Sequence, residues 1–404
     1  MFPCKVDVYP LGGQRKCPPN LPGLIPPGRA CSIAACTLRR EGRNDIRVVQ
    51  AGLGTWRRSW TGVVREAPGV ELAAVVDPDQ SALGQADAIP GYASLDDALA
   101  AVECDAVLVA SPPQTHHAVA KTALEAGKHV LCEKPLATSL EDALDLVGTA
   151  DRAKRLIVVS QNYRYNAPFR AVRRVLQEGH LGDLASISVR CMRDTRTLFA
   201  PDDFRYSMVH PYVLDMSIHH FDLIRAATGR EVRGVFARSW RVPDSPFVHY
   251  PAVVAVLDLD GGVPVVYEGD WATRGPETSW NGEWEIVGER GRLLWRGDVE
   301  DRSTGEVLLQ SWGEELRPVE QENLAFTERS ATLQRLREAI EGGSPPETAA
   351  ADNVKSLAVV LGCVASLENG DRVDVAALLA AGAPSCSASS RGTEKRRNRT
   401  WQDR

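Results

Sequence analysis

The sequence predicts an α/β chain in two parts: a parallel, doubly wound sheet, then an α+β region built on a large, mostly antiparallel open sheet. Three observations carry this. Between residues 44 and 165, five short apolar runs that do not alternate with polar residues are separated by helical patterns. From residue 166 onward the strand-like segments alternate more and follow one another through turns. A chain of 404 residues also exceeds what one compact core holds, so two domains are expected.

In order, "IRVVQAGLG" runs into a glycine turn, and "VELAAVVDPD" ends in an acid. "CDAVLVASPP", "KHVLCEKP" and "RLIVVSQNYR" follow. Continuous apolar runs of this length suit strands buried on both faces. The intervening "SLDDALAAV", "THHAVAKTALEAGK" and "TSLEDALDLVGTADRAK" open with Ser or Thr caps and read as helices. Ligands of such a sheet bind at the carboxyl ends of its strands. Past residue 166 comes the helix "FRAVRRVLQEGHLG". The strands "LASISVRCMR", "EVRGVFARSWRV", "AVVAVLDLDG", "VPVVYEGDWAT" and "GEWEIVGERGRLLW" follow, interrupted by the helix "PYVLDMSIHHFDLIRAATG". Two helices close the pattern, around "FTERSATLQRLREAIEGG" and "ADNVKSLAVVLGCVASLENG". The expected boundaries are a disordered extension over 1–43, the doubly wound domain over 44–165, the open-sheet domain over 166–382, and a disordered basic tail over 383–404.

Charge is unevenly distributed. Residues 1–45 and 391–404 each carry +4, which leaves −14 for 46–390 within a net charge of −6. A core that acidic repels nucleic acid and anionic membrane surfaces. No apolar run reaches the ~18 residues that a membrane-spanning helix needs. Nine cysteines without a CxxC pair supply neither a zinc site nor a disulfide framework, so a reducing cytoplasm is the simplest home and no metal is expected.

"AGLGTWR" places Gly52, Leu53, Gly54, Thr55 and Trp56 directly after the first strand, where a tight turn lets backbone approach a pyrophosphate. The third glycine of the dinucleotide fingerprint is replaced by Arg57. Asp77, twenty residues past Arg57, ends the second strand. A carboxylate there accepts from ribose hydroxyls and repels a 2′-phosphate, so NAD is favoured over NADP. Ser111 and Pro112 end the third run, and His116 and His117 open the next helix along the cofactor's path. In "LDMSIHHFD", Asp215, His219 and Asp222 share one face at helical spacing, with Asp215 placed to orient His219 as a general base. A surface ion pair at that spacing is the plainer alternative.

Taken together, "AGLGTW", "VVDPD", the stretch from "VLVASPP" to "EKPLA", "SQNYRY", "DMSIHHFD" and "ADNVKSLAVV" resemble the Gfo/Idh/MocA family, the glucose–fructose oxidoreductase and inositol dehydrogenase relatives. The likeness runs in order from about Asn44 to Val375. It implies a Rossmann domain followed by an open-sheet domain that is often used for oligomerisation, here a homodimer or homotetramer. It also implies that Lys134 of the EKP motif is catalytic with Asp215 and His219, that Pro135 is cis, and that Glu133 lies near the nicotinamide ribose. Asn162, Tyr163 and Arg164 are expected near substrate or nicotinamide, and His220 near substrate. The expected activity is NAD(P)-dependent oxidation of a secondary alcohol in a sugar, inositol or related polyol. An NAD-retaining glycosidase or lyase and a dinucleotide-sensing regulator are the alternatives.

Overall fold

The computed structural model describes residues 45–54, 57–84, 89–196 and 198–382, apart from the side chains of 57–59. The two expected tails lie outside the described residues. Everything described belongs to one compact unit.

The first sheet is built from β1 (Ile46–Ala51), β2 (Val70–Val76), β3 (Gly91–Tyr92), β4 (Ala106–Val109), β5 (His129–Cys132) and β6 (Ile157–Val159). All its pairs are parallel, in the order β3-β2-β1-β4-β5-β6. β4 and β6 are buried at every position, as unbroken Val, Leu and Ile runs require when helices cover both faces. The helices between these strands are α1 (Arg57–Glu66), α2 (Gln80–Leu83), α3 (Leu95–Ala101), α4 (His116–Glu125) and α5 (Leu140–Ala153). Ser94 and Ser139 cap α3 and α5 by accepting from the backbone N–H of Asp97 and Asp142. Strand order reverses between β1 and β4, so the crevice for a ligand opens beyond their carboxyl ends.

After α6 (Ala167–Gln177) the second sheet begins with β7 (Leu184–Met192). It continues through β8 (Val232–Trp240), β9 (Ala252–Leu259), β10 (Pro264–Asp270), β11 (Glu283–Gly288), β12 (Gly291–Gly297), β13 (Gly305–Ser311), β14 (Arg317–Pro318) and β15 (Val373–Asp374). Only β7 and β10 run parallel within its nine strands. α7 (Ile218–Thr228) and α9 (Ala350–Asn369) cover its inner face, and α10 (Val375–Gly382) follows. α9 is long and apolar enough to cross a membrane by composition, yet Leu357, Ala358, Val359 and Cys363 on it are buried in the core.

α8 (Glu328–Ile340), far along the chain, returns to the first sheet: Leu333 and Leu336 pack with Trp60, Val64, Leu108 and Leu131. β6 is likewise closed by Thr348, whose carbonyl accepts from Val159 N at 2.9 Å. The first sheet ends at Val159 and the second begins at Leu184, and packing crosses the expected boundary at 165/166.

Candidate active site

At the end of β1 the chain turns at Gly52, whose φ is +101°. A Cβ there would lie 2.6 Å from the Cα of Ser111, so only glycine permits this approach of the β1 and β4 loops. Among the described residues, a Cβ on Gly54 would meet nothing within 4 Å. Asp77 accepts from Leu53 N at 2.7 Å and Asp79 N at 2.9 Å, so the acid that ends β2 also fixes the glycine loop. Thr55 and Trp56 lie outside the described residues.

Beyond β5, the Lys134–Pro135 bond is cis. Lys134 is not a solvated surface lysine: its side chain is 13% exposed, and Nζ donates to Asp215 Oδ1 at 2.6 Å and to the Asp215 carbonyl at 2.7 Å. That carbonyl lies in a π-turn over Val213–Ser217 that leads into α7. Arg205 Nε donates to Asp215 Oδ2 at 2.6 Å. Burial alone would raise the Asp215 carboxyl, but Lys134 and Arg205 override it and hold it at about 2. Glu133 accepts from Trp60 Nε1 at 2.7 Å, from Arg329 Nε at 3.1 Å and from Lys134 N at 3.0 Å.

His219 faces the same cavity of about 810 Å³, with Lys134, Glu133, Asn162, Tyr163 and Asp215. Its ring stacks on Tyr163, 4.2 Å between centroids at 12°. Burial, then the nearby Lys134, His220, Arg302 and Arg329, push the imidazole well below its usual range. It is therefore a neutral imidazole at neutral pH. Phe199, Trp271 and Trp280 supply aromatic wall.

Five expectations are corrected. Asp215 does not orient His219: the π-turn inserts a residue into the helical repeat, its carboxylate serves Lys134 and Arg205, and His219 Nδ1 has no partner among the described residues. Arg164 turns from the cavity into a buried ion cluster, donating to both oxygens of Asp222 at 2.6 and 2.7 Å and to Asp352 at 2.7 Å. Asp222 consequently leaves the face it was expected to share with His219. His220 is fully buried, bonded to the Tyr267 hydroxyl at 2.8 Å and the Trp280 carbonyl at 2.9 Å. His116, expected along the cofactor's path, is 1% exposed, and its ring nitrogens meet the carbonyls of Pro135 at 2.7 Å and Ser111 at 2.8 Å. Conversely, Arg205, Arg302 and Arg329 line the cavity without any motif announcing them, Arg205 from ten residues before Asp215 and the other two from remote segments.

Residues 46–161 match the family described as "Oxidoreductase family, NAD-binding Rossmann fold", and 169–294 match "GFO/IDH/MocA C-terminal domain". The chain belongs to the Gfo/Idh/MocA oxidoreductase family. Among similar proteins is an inositol 2-dehydrogenase of Leifsonia xyli subsp. xyli, 32% identical over 57% of this chain and 68% of that protein. Another is a D-apiose dehydrogenase of Paraburkholderia graminis, 26% identical over 85% of this chain and 93% of its own. An Agrobacterium radiobacter oxidoreductase solved with NAD+, L-tartaric acid and magnesium shares the fold, with a TM-score of 0.73 at 23% identity over 83% of this chain and 99% of that one. This Gfo/Idh/MocA chain is an oxidoreductase of an NAD-binding family, and its cradle fits that cofactor. Gly52 brings two strand-end loops together, and Asp77 stands where the adenosine ribose is bound in such folds. Among the described residues no cluster of His, Cys, Asp and Glu could hold a metal ion.

Proposed function

We propose that this chain transfers hydride between a secondary alcohol of a sugar, inositol or related polyol and NAD. The observation that carries the reading is the meeting of Lys134 and His219, 85 positions apart, in one cavity beside Glu133 at the end of β5. Oxidising an alcohol removes a hydride from carbon and a proton from oxygen. Bound NAD supplies the hydride acceptor. His219, uncharged at neutral pH, takes the hydroxyl proton. Lys134, held by Asp215, donates a hydrogen bond to the oxygen as negative charge develops there. Asn162 offers an amide to neighbouring hydroxyls, and Trp271 and Trp280 offer apolar wall to ring C–H faces. The cavity lies in the range of small-molecule sites. The test is a thermal-shift screen of polyols and sugars with NAD present, followed by NADH absorbance for each hit. At least one hit should yield NADH continuously. Hits that bind without steady NADH formation would sink the dehydrogenase reading.

We also propose that the outer face of the second sheet contacts another copy of the chain. Phe236, Val256 and Val266 stand in register across β8, β9 and β10 and are 37%, 42% and 48% exposed. Arg190 pairs with Glu268 beside them at 3.1 Å, giving an apolar row with a polar edge. Sedimentation equilibrium should show a dimer or tetramer that Val256→Arg dissociates; a monomeric wild type would refute it.

A further inference from the structure

His116 opens α4 and is 1% exposed. Its two ring nitrogens end on backbone carbonyls from different loops, Nδ1 on Pro135 and Nε2 on Ser111. Among the described residues no backbone N–H is paired with either carbonyl, so the ring replaces what secondary structure provides elsewhere. Each carbonyl belongs to a working part of the site. Ser111 is the residue against which Gly52 closes. Pro135 follows Lys134 across the cis bond, and Lys134 continues to Asp215. A continuous path of contacts thus runs from the glycine loop through Ser111, His116 and Pro135 to the lysine. A neutral imidazole carries one N–H and satisfies one carbonyl at a time, while the protonated ring satisfies both. Burial first, and Lys134, lower the ring's basicity, whereas the two carbonyls and Glu133 raise it.

We infer that His116 is a positioning residue that couples the dinucleotide loop to the catalytic lysine, its N–H serving one carbonyl or the other according to tautomer. This rests on the role given to Lys134 above. The two bonds separate by substitution, because the Asn amide nitrogen lies near Nδ1 of histidine and the Gln amide nitrogen near Nε2. His116→Asn retains the Pro135 bond and releases Ser111; His116→Gln does the reverse. The expected outcome is a crossed pattern. His116→Asn raises the Kd for NAD, read by fluorescence, about five- to tenfold with the smaller change in kcat. His116→Gln lowers kcat about tenfold with the smaller change in Kd. Parallel losses of Kd, kcat and melting temperature in both variants, no effect in either, or failure of both to fold would overturn the coupling and leave a plain core histidine. Lys134→Ala is measured alongside. If that variant turns over normally, the reading of Lys134 fails by itself, and the Kd shift of His116→Asn against His116→Gln still decides whether His116 holds the dinucleotide loop.

Discussion

Lys134 carries its charge into a cavity because Asp215 meets it with both a carboxylate oxygen and a carbonyl. His219 stays uncharged there because burial and surrounding cations oppose its protonation. Lys134→Ala and His219→Gln should each lower kcat by about two to four orders of magnitude with little change in NAD affinity, measured by single-turnover NADH formation beside NAD fluorescence titration. With the imidazole held well below its ordinary range, kcat should be flat around neutrality and fall only at acid pH; His219→Gln should abolish that limb. A limb centred at or above the ordinary histidine range would assign the proton to another group. Asp77 gives a second test. Its carboxylate should favour NAD over NADP, and Asp77→Ala should narrow the gap by about 1–3 kcal/mol, read by titration calorimetry. Equal affinities in the wild type would refute this.

Among the elements, the helices gather around buried charge. Arg164 at the end of β6, Asp222 and Arg225 on α7, and Asp352 on α9 form one network, with Ser356 also donating to Asp222 at 2.8 Å. Removing one partner of a buried ion pair leaves the other unpaired. Asp222→Ala should therefore cost about 3–5 kcal/mol in urea unfolding while the pH dependence of turnover keeps its shape. A shifted limb with unchanged stability would instead return Asp222 to the catalytic machinery. Strand and helix identities here were legible from runs such as "AVLV" and caps such as Ser139. The π-turn was not, since nothing in "VLDMS" distinguishes a widened turn from an ordinary one.

For the whole molecule, histidines whose protonation burial opposes set the response to acid. His129 and His220 are lowered to about 4, mainly by burial, and His219 lies well below its usual value. His129 Nδ1 accepts from Leu156 N at 3.0 Å, a bond that a proton on that atom would break. Folded pKa values depressed below the unfolded ~6.5 mean that the unfolded chain binds more protons under acid conditions. Stability is thus complete above about pH 6.5 and is lost toward pH 4, each histidine contributing up to about 1.4 kcal/mol per pH unit. Calorimetry should show the melting temperature falling across that window, less steeply in His129→Gln. A melting temperature flat from pH 7 to 4.5 would contradict this.

The sequence by itself determined the two sheets, the glycine turn at Gly52, the acid at Asp77, and the EKP and DxxxH residues Lys134, Asp215 and His219. The sheets, Gly52, Asp77 and the Asp215–His219 spacing rest on local periodicity or spacing, and the role of Lys134 rests on the family resemblance. Only the tertiary structure decided what those residues face. Arg164 and Asp222 looked like site residues and became a structural ion pair, because helix packing removed both from water together. Arg302 and Arg329 entered the cavity from segments far from any motif, and Arg205 from a turn beside the DxxxH helix that carries no signal of its own. Such meetings depend on how loops and helices close over the strand ends, and a linear pattern does not encode that closure.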